Sequence, residues 1–479
     1  MKKRIFLTGA TGTMGWAGLQ ELLNYPDQYD ITVLARPSKK NKQKLAPLEG
    51  QIHVVWGNLV NYDDVLKGVA GADYVLHVGG MVSPKADYYP QETLRVNVTA
   101  AEHIVKAILA QPNRDEMKVV YIGSVAETSD RNEPVHWGRC GDPVFASAFD
   151  YYAVSKIAAE RIFADSGLRH WVSLRQSGIL YPAILKNFDP IMFHVPIRGV
   201  LEWATVEDSG RLLERVCRDS VPDDFWNRFY NISSGPQYRM TNYDFETRVL
   251  KAVHCPGPEK IFDANWFALK NFHGQYYLDA DLLEDYLHFR ANIPLDDYFK
   301  QMSDGLPKYF KLAKIAPAPT IKLATRMLAH KKTYGTQYWI QHNDEARIRA
   351  YYGSMEQWRA IPKWQDWDLS EPAGADEAKH IEHGYDETKP LSQLTLEELQ
   401  AAAVFRGGRL VSETYSGDPS ERLTWECHQG HRFEASPKLV LEGGHWCPDC
   451  LSDHWDGFPK VAERSPFFAQ VFQKSGVTG

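Results

Sequence analysis

Residues 4–15, RIFLTGATGTMG, decide the fold of this 479-residue chain. An apolar run gives way to Gly9, Gly12 and Gly15, and residues 16–23 continue with helical periodicity. This order is typical of a buried strand, a tight turn and a helix whose first NH groups face an anion. Gly9 permits the turn, Gly12 lets backbone approach a pyrophosphate, and Gly15 lets the helix pack closely on the strand. The stretch predicts a dinucleotide site, and its candidate cofactor contacts are Gly9, Thr11, Gly12, Thr13, Met14 and Gly15.

Short apolar segments follow, separated by helical patterns, at residues 31–35, 51–56, 73–78 and 118–122. Such alternation is typical of an α/β fold with a doubly wound parallel sheet, the Rossmann fold. Ligands bind at the carboxyl ends of strands in these sheets. The residues after the strands are therefore further candidate cofactor contacts: Arg36, Ser38, Asn58, Leu59, Val78, Gly79 and Gly80.

The end of the second strand bears on the choice of cofactor. An NAD site usually places Asp or Glu there to bind the ribose 2′-hydroxyl, whereas this chain has Arg36, followed by Ser38. A guanidinium can bind a 2′-phosphate through two hydrogen bonds. The sequence favours NADP(H), with NAD(H) possible. Residues 39–44 are rich in lysine and are interpreted as a solvated helix start.

Tyr152 and Lys156 lie four residues apart in a helical stretch, so they project from one face. An ammonium near a phenol favours the phenolate and lowers the tyrosine pKa, which suits a general acid and base. Ser124 ends the preceding strand. The three residues together predict proton transfer coupled to hydride transfer.

The glycine turn, the Asn97-Val98 pair, Ile122-Gly123-Ser124 and the Tyr152/Lys156 pair resemble the extended short-chain dehydrogenase/reductases. That superfamily includes NAD-dependent nucleotide-sugar epimerases and dehydratases, hydroxysteroid dehydrogenases and dihydroflavonol reductases. The resemblance runs from residue 1 to about 244, roughly half of the chain. It implies a Rossmann domain with a small substrate lobe, and a homodimer.

The resemblance also implies roles for individual residues. Tyr152 would be the acid and base. Lys156 would bind the nicotinamide ribose and lower the Tyr152 pKa, and Ser124 would bond the substrate oxygen. Asn97 would hold the helix and water network behind them, and Ile179 would lie near the nicotinamide amide. Asn97 and Tyr152 are also candidate cofactor contacts.

The stretch after the sixth strand departs from the sugar-nucleotide members. Arginines that would clamp a diphosphate are not evident in residues 192–198, which are largely apolar. An apolar pocket with few polar anchors suits a hydrophobic alcohol or ketone. The leading hypothesis is an NADP(H)-dependent oxidoreductase acting on an apolar, steroid- or flavonol-like small molecule. Two alternatives are an NAD-dependent nucleotide-sugar epimerase or dehydratase, and a dinucleotide-sensing regulator with a zinc interaction module.

A second motif lies near the carboxyl end of the chain. Cys427, His431, Cys447 and Cys450 form Cys-x3-His followed by Cys-x2-Cys. Three thiolates and an imidazole fill the tetrahedral coordination of zinc and leave no open position. His428 and His445 are competing ligands. The region resembles treble-clef or zinc-ribbon modules, and the zinc should be structural.

Composition excludes several classes of protein. A net charge of −7 argues against nucleic acid as a partner, and no apolar run has the length of a membrane span. A cytoplasmic enzyme with a small-molecule substrate and no membrane partner is expected.

Composition and periodicity divide the chain into five parts. They are the Rossmann domain with its substrate lobe (1–260), a helical cap or extension (261–369), a linker (370–393), a zinc-ribbon-like module (394–455) and a tail (456–479).

Overall fold

In a computed structural model that describes residues 1–452 and 457–472, seven parallel strands form the central sheet. The strands are β1 (Lys3–Thr8), β2 (Tyr29–Ala35), β3 (His53–Trp56), β4 (Tyr74–His77), β5 (Lys118–Ser124), β6 (His170–Gln176) and β7 (Arg228–Ile232). Their order is β7-β6-β5-β4-β1-β2-β3, so the winding direction reverses between β1 and β4. The predicted Rossmann fold is confirmed, and the reversal places a ligand crevice at the carboxyl ends of β1 and β4.

Helices cover both faces of the sheet, because alternate strand residues point to opposite sides. Phe6 packs in one buried cluster, whereas Ile5 and Leu7 pack in the other. The helices of this domain are α1 (Thr13–Leu23), α2 (Lys39–Leu45), α3 (Tyr62–Val69), α4 (Lys85–Tyr88), α5 (Pro90–Leu109), α6 (Tyr151–Ala164) and α7 (Val206–Arg215). Helices α3, α5 and α6 pack on the Phe6 side, and α1 and α7 pack on the other.

The substrate lobe and the helical extension share a core. Phe193 of the lobe makes edge-to-face ring contacts with Phe262, Trp266 and Phe267. The helices of these regions are α8 (Asn242–Ala252), α9 (Pro258–Ile261), α10 (Ala280–Leu287), α11 (Leu295–Asp304), α12 (Ala318–Ala329), α13 (Thr336–Gln341), α14 (Glu345–Tyr352) and α15 (Met355–Arg359). Short paired strands of the lobe lie at Trp137–Gly138, Ile179–Leu180, Val200–Glu202, Ala204–Thr205, Arg239–Thr241 and Tyr276–Tyr277.

The carboxyl-terminal region is built on an antiparallel sheet of β8 (Gly408–Leu410), β9 (Leu423–Cys427) and β10 (Arg432–Ala435). Its helices are α16 (Leu396–Phe405), α17 (Pro448–Ser452), α18 (Gly457–Arg464) and α19 (Pro466–Ala469). Leu439 and Trp446 lie in the same buried cluster as Phe163 and Phe229 of the Rossmann domain. The region therefore packs directly on the catalytic domain, and the predicted tail, where it is described, belongs to its helices. Residues 453–456 and 473–479 of the predicted zinc module and tail lie outside the described residues.

The predicted linker, residues 370–393, packs against the loop that follows β5. The carbonyl of Ala373 accepts a hydrogen bond from Trp137 Nε1 at 3.0 Å, and the buried His383 lies 2.9 Å from Asp142. Arg139 forms an ion pair with Glu387. These polar contacts to distant residues hold a segment that shows no periodicity in its sequence. The proposed division into five parts stays a prediction.

None of the helices in the described part of the chain is long and apolar enough to cross a membrane.

Candidate active site, cofactor cleft and metal centre

The glycine turn connects β1 to α1 as the motif predicts. Gly9 has a φ of +73°, and a Cβ built there would lie 2.7 Å from the backbone nitrogen of Gly79. A Cβ at Gly15 would overlap the carbonyl oxygen of Gly9. Helix α1 begins after Gly12, whose position carries no side-chain cap. Free NH groups and bare backbone form a cradle that fits a pyrophosphate.

Within this turn, Met14 is buried in the core, so only its backbone can reach a cofactor, whereas Thr11 and Thr13 are more accessible. Beyond β4, Thr8 Oγ1 accepts a hydrogen bond from Gly79 N at 3.0 Å. This bond holds the segment after β4 close to the end of β1, where the strand order reverses.

The residues after β2 and β3 lie at the same edge of the sheet. Arg36 is exposed there, and Ser38 caps α2 by accepting a hydrogen bond from Asn41 N at 3.2 Å. The Asn58 side chain accepts one from Val60 N at 3.3 Å, and Leu59 lies beside Gly79. Arg36 is therefore accessible to a bound ribose phosphate, while the Ser38 hydroxyl already has a structural partner.

Lys44 is a residue that the sequence analysis missed. Its Nζ donates to the carbonyl of Thr11 at 3.1 Å and lies 4.2 Å from the centroid of the Trp16 ring. Burial lowers its pKa, and the neighbouring Lys40 lowers it further. The lysine-rich pattern of residues 39–44 predicts a solvated helix start, because nothing in the sequence indicates that α2 returns to the glycine turn.

Asn97 joins the cofactor cleft to the catalytic helix. Its side-chain oxygen accepts from Met81 N at 2.7 Å, and its nitrogen donates to Met81 O at 3.0 Å and to Ser155 Oγ at 2.8 Å. Gly80 lies directly against the same side chain. Asn97 thus fixes the loop after β4 on α6, although it makes no direct contact with the phenol of Tyr152 that the structure records.

Ser124, Tyr152 and Lys156 come together at the end of β5 and the start of α6. Ser124 and Tyr152 share a side-chain hydrogen bond. Lys156 is buried one turn further along α6, and its Nζ donates to the carbonyl of Ile122 at 2.6 Å. Asp150 caps the helix by accepting from Ala153 N at 2.8 Å. The serine and the phenol are therefore positioned to contact one substrate oxygen.

The pKa of Tyr152 differs from the sequence-based expectation. Burial raises the pKa, the hydrogen bond from Ser124 lowers it, and the carboxyls of Glu127 and Asp150 raise it further. Lys156 was expected to lower it, but its ammonium is directed at the Ile122 carbonyl, and burial lowers its own pKa. In the chain by itself Tyr152 is a protonated phenol that can donate a proton.

A buried ion cluster lies behind this triad, and the sequence analysis did not find it. Arg175 Nη2 is 2.7 Å from Glu160 Oε2, and Arg175 Nε donates to Glu160 Oε1 at 3.0 Å. Glu127 Oε2 lies 3.7 Å from Arg175, and Glu127 Oε1 accepts from Ser124 N at 2.7 Å. Burial raises the pKa of Glu127. Burial also acts to raise the pKa of Glu160, but Arg175 and His445 together outweigh it and hold that pKa low. The backbone of Ser124 is thus anchored to a fully buried charge network.

The carboxyl-terminal region supplies part of this network. His445 Nε2 lies 2.7 Å from Glu160 Oε2, and the carbonyl of Gly443 accepts from Arg175 Nη2 at 2.7 Å. All of the side chains involved are at most 2% exposed. His445 lies 285 residues after Glu160 in the chain, so its role could not be read from sequence spacing.

Four donor atoms of the carboxyl-terminal region converge as the cysteine motif predicts. The Sγ atoms of Cys427 and Cys450 are 3.4 Å apart, and His431 Nδ1 lies 3.6 Å from Cys447 Sγ and 3.4 Å from Cys450 Sγ. All four lie within 4.8 Å of one another. Three sulfurs and one imidazole nitrogen at these separations suit a tetrahedral zinc ion. His445, a competing candidate, is directed at Glu160 instead.

A cavity of about 200 Å³ lies within the substrate lobe, beside the loop that follows β5. Trp203 and Phe245, whose rings stack at 4.4 Å, form one wall, and Met192 forms another. Among the described residues that line it, none is a lysine or an arginine. Arg198, the cation of the apolar 192–198 stretch, pairs with Glu133 at 2.6 Å instead.

The helical extension closes over the loop that follows β4. The rings of Tyr88 and Tyr334 pack at 4.2 Å, and Lys331 Nζ donates to Tyr88 Oη at 2.9 Å. Tyr88 Oη also donates to Asp189 of the lobe at 2.8 Å, and His194 Nε2 lies 2.8 Å from the carbonyl of Tyr334. The extension, the lobe and the Rossmann domain therefore meet beside the loop that bounds the cofactor cleft, which Asn97 anchors to α6.

The fold and the site define a Rossmann domain with a nucleotide cradle and a Ser-Tyr-Lys set. Residues 5–176 match the model of the NAD dependent epimerase/dehydratase family. Over these residues the chain is therefore similar to the extended short-chain dehydrogenase/reductases, an NAD(P)-dependent enzyme family.

Similar proteins include two UDP-glucose 4-epimerases. That of Rickettsia akari (strain Hartford) is 28% identical over 127 residues, which cover 26% of this chain and 36% of that protein. That of Rickettsia bellii (strain RML369-C) is 29% identical over 110 residues, 22% of this chain and 32% of that protein. The chain spans about a third of the length of these curated relatives.

Among solved structures, dTDP-glucose 4,6-dehydratase from Bacillus anthracis in complex with NAD is similar with a TM-score of 0.50. The two sequences are 14% identical, and the matched region covers 63% of this chain and 96% of the dehydratase chain. This likeness concerns the fold. The family match and the two epimerases favour the epimerase or dehydratase alternative over the steroid- or flavonol-like substrate of the leading hypothesis.

Proposed function

We propose that this chain is an NAD(P)-dependent enzyme of the epimerase or dehydratase type that interconverts a secondary alcohol and a ketone on its substrate. The contact that supports this most strongly is the hydrogen bond between Ser124 and Tyr152 beside the buried Lys156. The bound nicotinamide supplies the acceptor and donor of hydride. Tyr152 takes the hydroxyl proton during oxidation and returns it to the carbonyl oxygen during reduction, and Ser124 holds that oxygen.

Lys156 and Asn97 have supporting roles in this proposal. Lys156 is buried one turn after Tyr152 and would bind the nicotinamide ribose, where its charge would favour the phenolate during oxidation. Asn97 holds the loop after β4 against helix α6. The other predicted contacts, including Ile179, would line the same crevice.

For the cofactor we propose NADP(H) ahead of NAD(H). Arg36 is exposed at the end of β2, and Lys44 approaches the glycine turn from the same side. Two cations at the adenosine ribose would bind a 2′-phosphate. The zinc ion proposed at the four carboxyl-terminal ligands would be structural, because its donor set is complete.

A nucleotide sugar is the first candidate substrate, since the named relatives are UDP-glucose 4-epimerases. The apolar cavity without lysine or arginine favours a second candidate, an alcohol or ketone with an apolar body.

The test begins with the cofactor that the purified protein retains, identified after denaturation. UDP-glucose and a panel of apolar ketones and alcohols, steroids included, are then presented with both cofactors. Turnover of any panel member, followed by product analysis or by the absorbance of reduced nicotinamide, supports the enzyme. Tight cofactor binding with no turnover of the whole panel would instead favour the dinucleotide-sensing regulator.

A further inference from the structure

Glu246, on the inner face of α8, is a buried acid with no role in the proposed chemistry. It is only 4% exposed, and it forms no hydrogen bond or ion pair with any residue that the structure describes. Burial raises its pKa to about 8. Carboxyls that are this deeply buried are normally paired, because an isolated one loses its hydration without compensation.

The surroundings of Glu246 point to a ligand. Glu246 lines the 200 Å³ cavity together with Trp203, Phe245 and Val249. The cavity walls that the structure describes contain Asp130 as a second acid and no lysine or arginine. Asp130 is already engaged, since its Oδ2 accepts from Asn271 N at 2.8 Å. Glu246 is thus an unpaired acid in a mainly apolar wall.

These charges decide which ligand chemistry the cavity can accept. A diphosphate needs arginine, lysine or clustered NH donors, and the lining cations are missing from the described walls. A carboxylate ligand would be buried in these walls without a cationic partner. A cationic amine would instead draw Glu246 into its ionised form, because a nearby opposite charge lowers the pKa of a carboxyl group.

The cavity is also connected to the catalytic helix. His273, another lining residue, has its Nδ1 3.3 Å from Asp150 Oδ2. Asp150 caps α6 two residues before Tyr152. A group bound in the cavity therefore lies beside the element that carries the acid and base.

We propose that this cavity binds the non-reacting end of the substrate, an apolar group that carries an amine paired with Glu246. That the ligand is a substrate rests on the proposed function. The binding site itself is defined by Glu246 and the cavity walls. Of the two candidate substrates named above, it selects the second, an alcohol or ketone with an apolar body, and adds an amine to that body.

The test measures binding and needs no turnover. Phenylethylamine, phenylethanol and phenylacetate, which differ in one polar group, are titrated into the full chain by calorimetry. The amine should bind best and the carboxylate worst. The isosteric Glu246→Gln variant should bind the amine about 10- to 100-fold more weakly, the range for a charged hydrogen bond. Its affinity for the alcohol should be unchanged.

Two controls keep the outcomes separate. Lys251→Gln changes an exposed charge on the same helix and should leave all three affinities unchanged. Glu246→Gln should fold normally, because it removes an uncompensated buried acid, and should bind the cofactor as the native chain does. Equal amine affinity in the native and Glu246→Gln proteins, or tighter binding of phenylacetate, would overturn the proposal. Failure of Tyr152→Phe to affect turnover would instead overturn the proposed function and leave the amine site standing.

Discussion

Replacing His445 by alanine tests whether the carboxyl-terminal region supports the active site. The imidazole lies 2.7 Å from Glu160, and both side chains are at most 2% exposed. Loss of a hydrogen bond to a buried charged group costs about 1.5–3 kcal/mol, and the space left by the ring adds to that. Glu160 keeps Arg175 and Ser173 as partners, which limits the cost. We therefore expect a loss of about 2–4 kcal/mol in the free energy of unfolding.

The assay combines thermal unfolding, zinc content by elemental analysis, and turnover. His445→Ala should unfold several degrees lower than the native chain. Turnover should fall while cofactor affinity is retained, because Glu160 and Arg175 hold Glu127, which anchors the Ser124 backbone. His445→Gln should recover part of both losses, since its amide can donate to Glu160.

A matched control is His53→Ala, since His53 also lies beside a carboxylate, 3.2 Å from Asp30, but is 73% exposed. His53→Ala should change the free energy of unfolding by no more than about 0.5 kcal/mol. Zinc content should be the same in the native, His445→Gln and His53→Ala proteins. If His445→Ala unfolds at the native temperature with native turnover, the buried cluster does not couple the two regions.

Three further predictions concern the cofactor, the metal and pH. Arg36→Ala should weaken NADPH binding by about 10- to 100-fold while NADH changes little; equal losses would count against a 2′-phosphate contact. The native chain should contain one zinc ion, and Cys447→Ser should lose both the metal and stability; a metal-free, well-folded native protein would refute the site. The pKa of His383 is raised because its bonds to Asp142 and Glu387 outweigh burial. That stabilisation is complete below the ordinary pKa of about 6.5 and is lost as pH rises through the folded-state pKa, so denaturation at a series of pH values should show a decline that His383→Gln lacks.

The sheet could be predicted because local patterns specify it. The apolar run before Gly9 and the spacing of the glycines define the first strand, turn and helix without long-range information. The Cys447 and Cys450 pair is similarly local, and the structure brings it to Cys427 and His431. In each case, the spacing of a few nearby residues is typical of a single local structure.

The remaining features depend on tertiary packing. The pKa of Tyr152 is raised by burial and by acids from other elements, whereas the sequence showed only Lys156 one turn away. The sequence makes His445 a candidate metal ligand because it lies two residues before Cys447, and only the folded chain directs it to Glu160. Glu246 has the position of an ordinary helix residue, and its isolation becomes visible only with the cavity around it.

The most direct test of the account compares Tyr152→Phe with Tyr151→Phe, its neighbour on the same helix. Cofactor affinity is measured by calorimetry, and turnover of the substrate found in the screen is followed by product analysis or, where reduced nicotinamide accumulates or is consumed, by its absorbance. Tyr152→Phe should bind the cofactor with native affinity and lose turnover by at least about 100-fold, whereas Tyr151→Phe should retain it. Native turnover in Tyr152→Phe would contradict the assignment of the acid and base.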